Sequence, residues 1–204
     1  MHISEGVLSA PVLIGGAALS ACGVAVGLKK VEERELPRVA VLSSVFFVAS
    51  LIRVPAGPAS VHLVTNGLAG IFLGWAAFPA ILVALVLQAV LFQFGGLTTL
   101  GVNTFNMAAP AVACFYLFRG PVRSPSAWVS STASFACGFS AVMMGCLLIA
   151  VSLVFTEEAF LRTAQAAVVF HLPVMVVVGT ITALCVRFVR KIRPEMLDVR
   201  SGGG

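Results

Sequence analysis

The histidine at position 2 is the first group in this sequence that can do chemistry, because it stands beside the chain's own terminus. The Met1 amine nitrogen and the His2 amide nitrogen close a five-membered ring on a metal ion. The amide and imidazole nitrogens of His2 close a six-membered one. Three nitrogens then lie nearly in a plane, and a fourth equatorial donor is required. Tetragonal nitrogen sets of this kind suit Ni(II) and Cu(II), and Co(II) where the geometry is enforced. A second residue as large as His normally blocks removal of the initiator methionine, so Met1 is expected to keep its place. His62 is the candidate for the missing donor. It follows Pro55-Ala56-Gly57-Pro58, and Val61 and Leu63 flank it. The plainer alternatives are a histidine on a frayed terminus and one bonded to a loop carbonyl.

A third feature is the uncharged stretch from Gly95 to Asn106, Gly-Gly-Leu-Thr-Thr-Leu-Gly-Val-Asn-Thr-Phe-Asn. Its glycines permit close backbone approach, and Thr98, Thr99, Asn103 and Asn106 are of the type that orients ligating histidines from behind. A simple turn between helices is the competing interpretation. His171, deep in a late apolar run, serves either as a partner or extra ligand of the same site or as a structural hydrogen-bonding group. The five cysteines fall inside apolar runs without close pairing, where cysteine behaves as a small hydrophobe.

The elements that must position these groups are set by composition. Hydrophobic residues make up 59% of the chain and charged residues only 10%, with a mean hydropathy of +1.05. A soluble domain of this size cannot hide so much apolar surface; a bilayer can solvate it. At about 20 residues per span, the chain reads as an all-α, polytopic integral membrane protein of about seven transmembrane helices. Apolar runs cover about 11–28, 39–54, two helices within 62–94 divided by Trp75-Ala76-Ala77-Phe78-Pro79, then about 106–118, 127–155 and 163–188. The division expected is a terminal plug over 1–10, a helical bundle over 11–190 and a cytoplasmic tail over 191–204 ending in the flexible run Ser201-Gly202-Gly203-Gly204. The first residues lack the basic region of a secretory signal, so no cleavage is expected there.

Charge gives the orientation. With the N-terminus outside, Lys29, Lys30, Arg34, Arg38, Arg119, Arg123, Arg187, Arg190, Lys191, Arg193 and Arg200 are cytoplasmic, and Arg53 and Arg162 are external. Eleven basic residues against two is a strong positive-inside bias, so the C-terminus is expected in the cytoplasm. The charge is a topology signal and not a nucleic-acid patch. There is no Gly-x-x-x-x-Gly-Lys-Ser/Thr loop for ATP. In this arrangement the N-terminal amine, the loop from Pro55 to His62 and the segment from Gly95 to Asn106 share one side. Ala17, Ala21 and Ala25, with Gly23 and Gly27 beside them, form a small-residue ridge suited to helix contact in lipid.

Taken together, Met-His-Ile-Ser-Glu-Gly at the start, Ser60-Val61-His62-Leu63-Val64, the run from Gly95 to Met107, His171-Leu172-Pro173-Val174-Met175-Val176 and Arg193-Pro194-Glu195-Met196-Leu197 resemble the CbiM-type family over nearly the whole chain. These are substrate-capture subunits of energy-coupling-factor transporters for cobalt and nickel, found in bacterial or archaeal cell membranes. The resemblance implies a seven-helix, non-enzymatic subunit whose N-terminus plugs back into the bundle. Co(II) or Ni(II), as transported substrate, would be held by the Met1 amine, the His2 amide and imidazole, and His62. It also implies partners: a membrane coupling subunit, ATP-binding cassette ATPases and a small accessory membrane protein, for which the alanine ridge is a docking face. The chain departs from the family pattern at Ser4, where proline is commoner, and at Val178, where a glutamate often precedes the glycine.

A rival from another class is a rhomboid-like intramembrane serine protease. It would use a Ser140/His171 dyad, with His62 and Asn66 as oxyanion donors. It fits poorly, since Ser140 and His171 fall on consecutive antiparallel helices and Ala141 replaces the glycine expected after the serine.

Overall fold

The computed structural model describes residues 2–56 and 59–197. Seven α-helices carry the fold: α1 (Ala10–Lys30), α2 (Leu36–Leu51), α3 (Asn66–Leu73), α4 (Ala77–Phe92), α5 (Leu100–Val122), α6 (Ala127–Thr156) and α7 (Leu161–Ile192). Pro11 opens α1 and Pro37 opens α2, where the missing N–H is harmless. Between α2 and α3 the chain makes an antiparallel hairpin, β1 (Arg53–Ala56) with β2 (Ala59–His62), in which Arg53 faces His62. Short 3-10 turns join α1 to α2, α3 to α4 and α6 to α7, and another, Pro194–Leu197, follows α7.

The direction of each helix follows from what its small residues touch. In α1, Ala17 meets Gly101, and Gly23 and Gly27 meet Phe78 and Pro79. Ser43 and Ser50 of α2 bond to Ala80 and Gln88 of α4, so these two run parallel. Gly70 of α3 and Gly74 just after it meet Ala111 and Phe115 of α5, again parallel. Antiparallel packing joins α5 to α6, where Asn106 reaches Ser152 and Val122 reaches Ser130. It also joins α6 to α7, where Ala127 and Ser131 lie beside Arg187 and Lys191 at one end and Val151 and Val154 beside Gln165 and Val168 at the other. Thus α1, α3, α5 and α7 run one way and α2, α4 and α6 the other.

Five helical stretches are long and apolar enough to cross a membrane: 10–30, 66–92, 100–122, 127–156 and 168–192. The chain is therefore a multi-pass membrane protein. Against about seven expected transmembrane helices, the fold has seven α-helices, of which two are short. At 1.5 Å per residue, α2 is about 24 Å long and α3 about 12 Å, against a hydrocarbon core of about 30 Å. The physical reason for α3's brevity is that an extended segment takes the place of its first turns. Leu63, Val64 and Thr65 descend without helical structure, and Val64 and Thr65 are buried. Helix α3 starts only at Asn66, whose amide donates to the Ala141 carbonyl at the middle of α6 (3.0 Å). Every residue of α3 is buried. Non-helical backbone at this depth survives because protein surrounds it.

Other expectations shift for similar reasons. Helix α2 stops at Leu51 and yields to the hairpin, so His62 lies on a strand and not at a helix mouth. The irregular segment expected over 95–106 is shorter, because α5 begins at Leu100. Gly101, Asn103 and Asn106 are weak helix formers, yet Gly101 is where α1's backbone passes, a Cβ there lying 2.5 Å from the Ala17 Cα. Tertiary packing overrides propensity. The all-α assignment holds for the bulk, with the hairpin as the exception.

At the opposite end from the hairpin, arginines staple the chain. Arg38 donates to the Met196 carbonyl (2.5 Å), Arg123 to Leu197 (2.8 Å), and Arg190 to Ser124 (2.7 Å) and Pro125 (3.2 Å). Residues up to Leu197, which is buried, therefore fold back onto the bundle. The run Ser201 to Gly204 lies outside the described residues.

The close approach of α3 to α6 is testable. A Cβ on Gly67 would lie 2.7 Å from the Gly138 Cα and 3.1 Å from the Cys137 carbonyl, both backbone, whereas one on Gly120 meets nothing within 4 Å. Gly67→Ala should destabilise by about 1–3 kcal/mol and Gly120→Ala should be neutral or slightly stabilising. Thermal unfolding in detergent measures both, and equal melting temperatures for the two variants would refute the packing.

Candidate functional site

At the hairpin end of the bundle residues 2–9 fold inward. Ile3 and Leu8 are buried in the main apolar core, with Val7 packed against it. Burying two large aliphatic side chains favours insertion by about 1.5–3 kcal/mol each, but it does not choose a register. Asn103 chooses it. The Ile3 N–H donates to Asn103 Oδ1 (3.0 Å), and Asn103 Nδ2 donates back to the Ile3 carbonyl (3.0 Å) and to Thr99 Oγ1 (3.2 Å). Asn103 is 2% exposed. Its amide thus acts as a one-residue strand, satisfying donor and acceptor of a buried peptide that no helix or sheet supplies.

Two further contacts fix the rest of the segment. The Glu5 carboxylate accepts from the Thr98 N–H (3.3 Å) and occupies the space that a Cβ on Gly96 would take. The Ser9 N–H donates to Thr156 Oγ1 at the end of α6 (3.3 Å). Gly6, at φ +76°, supplies the left-handed turn that leads into α1.

His2 comes to rest against the 93–99 turn. Gly95 stands at φ +77°, and a Cβ on it would sit 3.1 Å from Asn103 Nδ2 and 3.7 Å from both Cβ and Cδ2 of His2. Both ring nitrogens of His2 are shielded from solvent. The structure therefore brings His2, Gly95 and Asn103 together. The route to this is local: α4 ends at Gln93, itself left-handed at φ +55°, the chain turns through Gly95, and Thr99 Oγ1 bonds the Gly96 carbonyl (3.2 Å) before α5 starts.

The other residues singled out in the sequence take different places. Met1 lies outside the described residues. The backbone of His62 ends β2, opposite Arg53, and β2 packs on α2 and α7; its side chain is outside the described residues. Asn106 lies one turn below Asn103 and donates to Ser152 Oγ (3.3 Å), which joins α5 to α6. His171 is half-buried in α7, with Nε2 shielded from solvent. Among the described residues no three of His, Cys, Asp and Glu converge. A chelate made from a terminal amine and a backbone amide would not need them to.

Ser140 and His171 do not form a dyad. The α6–α7 register sets Gly138 against Val178 and Thr182. Ser140 therefore lies near the level of Val178, about two turns or on the order of 10 Å along the axis from His171.

Sequence reasoning assigned Asn103 to orienting histidines; the structure gives it the backbone of residue 3. Glu5, Ser9 and Thr156 were not singled out at all. A lone carboxylate in an otherwise uncharged N-terminal segment was the available signal for Glu5.

The seven-helix bundle with an inserted terminal segment defines the class as a helical membrane transporter component. It superposes on a crystal structure of a transition metal transporter with a TM-score of 0.80, at 27% identity, covering 94% of this chain and 93% of that one. Residues 2–196 match the family described as cobalt uptake substrate-specific transmembrane region, CbiM, and the chain belongs to that family. It is similar to a protein of Haemophilus influenzae described as a putative metal transport protein, 40% identical over 97% of both chains. It is also similar to a putative fused nickel transport protein, NikMN, of Archaeoglobus fulgidus, 26% identical over all of this chain and 70% of that one.

The Asn103 clamp generates a direct prediction. Asn103→Leu leaves the buried Ile3 N–H and carbonyl without partners, which costs about 2 kcal/mol or more. Opening of the 3–8 segment should become at least about 30-fold more frequent, read by amide hydrogen exchange, while the cores of α4 and α5 exchange as before. Unchanged protection of residues 3–8 would show that apolar burial alone holds the plug.

Proposed function

We propose that this chain is the substrate-specific membrane subunit of a transporter that imports Co(II) or Ni(II), and that the ion is captured by the Met1 amine, the His2 amide and imidazole, and the His62 imidazole. The observation that carries the reading is the pair of hydrogen bonds between Asn103 and the backbone of Ile3. They hold the residue after His2 in one register, so the two nitrogens of His2 and the amine before it have one approach to an ion. Family membership and the nickel transport name of the fused relative support the choice of cargo.

The mechanism is capture and occlusion, without bond chemistry. A divalent ion arriving at the hairpin end sheds water and displaces protons from amine, amide and imidazole, since these donors bind deprotonated. His62, on the hairpin, closes the fourth position. Asn103 and the 93–99 turn keep the plug seated over the ion; Asn106 ties α5 to α6 behind it, and His171 stands in reserve on α7 as a supporting group. Tetragonal nitrogen donors favour nickel and copper intrinsically, so choice among ions falls to the rigidity of this frame and to supply.

The basic residues support an orientation with the hairpin end outside and the C-terminus in the cytoplasm of a bacterial or archaeal cell. Chain ends carrying Lys29, Lys30, Arg38, Arg119, Arg123, Arg190 and Lys191 gather at the other end. On this reading the chain crosses seven times, the third crossing being hairpin, extended segment and half-helix α3. Release toward the cytoplasm would require a membrane coupling subunit and ATP-binding cassette ATPases, with a small accessory membrane protein. The NikMN fusion supports assembly with further components. Helix α1, which leaves Ala21 and Ala25 exposed, is the face for it.

Elemental analysis of the purified full chain tests the site. About one cobalt or nickel per chain is expected, lost in His2→Ala, in His62→Ala and in a variant with one residue inserted before Met1. Metal retained by the inserted variant would remove the terminal amine from the site, and metal retained by either alanine variant would overturn the ligand set.

A further inference from the structure

At the end of the bundle away from the hairpin, the first turn of α6 and the last turns of α7 line an open surface cavity of about 180 Å3. Its lining is Ala127 and Ser131 from α6 and Arg187, Arg190 and Lys191 from α7. None of the five is acidic. Among the described residues the ion pairs are Arg34–Glu32 and Arg193–Glu195, so no described carboxylate is paired with the three cations of the cavity. One of them is held in place: Arg190 is braced by the Ser124 and Pro125 carbonyls just before α6. The N-terminal end of a 30-residue helix adds its partial positive charge to the same spot.

The surroundings say what kind of anion fits. Trp128, beside the cavity on α6, is 77% exposed, and Phe188 and Leu184 on α7 are 64% and 61% exposed. An outward tryptophan beside cations at the end of an apolar span marks the level where headgroups meet hydrocarbon. Below it lie outward-facing leucine and phenylalanine. A soluble anion would use the cations and leave the apolar surface bare. A phospholipid uses both.

We propose that this cavity binds the headgroup phosphate of an anionic phospholipid, with Arg187 and Lys191 closing on the phosphate, Ser131 donating its hydroxyl, and the acyl chains lying against Leu184 and Phe188. Basic pockets between helices at a membrane surface recognise anionic lipids in this way, each cation contributing severalfold to affinity. The site is separate from the metal-capture residues, which lie at the other end of the bundle, and it does not depend on them.

Native mass spectrometry of the full chain, delipidated in detergent and then given dioleoyl-phosphatidylglycerol or dioleoyl-phosphatidylcholine, tests the assignment. One phosphatidylglycerol per chain is expected, retained roughly tenfold or more over phosphatidylcholine. Arg187→Gln/Lys191→Gln should abolish that preference, and Lys29→Gln/Lys30→Gln, which removes the same charge elsewhere at the same end, should keep it. Equal retention of the two lipids, or equal loss in both double variants, would overturn the site. Displacement by millimolar inorganic phosphate would overturn the lipid as its ligand. Should the first double variant elute as aggregate, Ser131→Asp decides: it keeps every cation and sets a carboxylate in the cavity. Loss of phosphatidylglycerol supports the proposal, and undiminished retention refutes it.

Discussion

Everything at the hairpin end of this protein depends on where the backbone of Ile3 finds its hydrogen bonds. A terminal segment pushed between helices has peptide groups that neither water nor a regular element can satisfy, and a buried peptide left in that state is unstable. Asn103 resolves the difficulty with a side-chain amide, which carries an acceptor and a donor at peptide-like spacing. The side-chain orientation is locked in turn by Thr99, so the clamp is rigid from behind. Leu8 and Ile3 hold the segment in; the amide decides which residue faces which. His2 acquires a fixed position through its neighbour and not through contacts of its own making.

The same logic governs the rest of the bundle. Where the chain must be irregular within the apolar layer, it is enclosed by protein. Residues 63–65 lack helical structure and lead into α3, which is buried along its whole length, while Asn66 spends one end of its amide on Ala141 and the other on Gly67. Such enclosure requires helices to come very close, and that explains the glycines. Gly67 against Gly138, Gly70 against Ala111 and Gly101 against Ala17 are backbone-to-backbone contacts. In a bilayer, where burying apolar surface between helices gains little over lipid, close van der Waals packing of this sort carries much of the association.

The two ends of the molecule solve different problems. At the hairpin end, uncharged amides, hydroxyls and one carboxylate organise a short inserted peptide. At the other end, arginines reach carbonyls of the turns and of the Pro194–Leu197 segment, so that chain ends are gathered by charge-assisted bonds. Helix α1, by contrast, is mostly exposed. It is attached along the Gly16, Gly23 and Gly27 side and presents the remainder outward.

A membrane protein of several helices, the positions of most of those helices and the grouping of the termini and loops were legible in the residues, because composition and apolar run length are local and a bilayer imposes a single length scale. Membership of the metal-uptake family was legible as well, since its motifs are short and ordered. The chelating potential of Met1 and His2 is a covalent fact of adjacent residues. Tertiary structure alone decided that α5 starts at Leu100 against its own weak propensities, that a hairpin and an extended segment precede the short helix α3, and that Asn103 serves the backbone of residue 3. Each of these rests on contacts between residues a hundred or seventy positions apart. No local pattern records which peptide a distant amide will meet, so those choices exist only once the helices have packed.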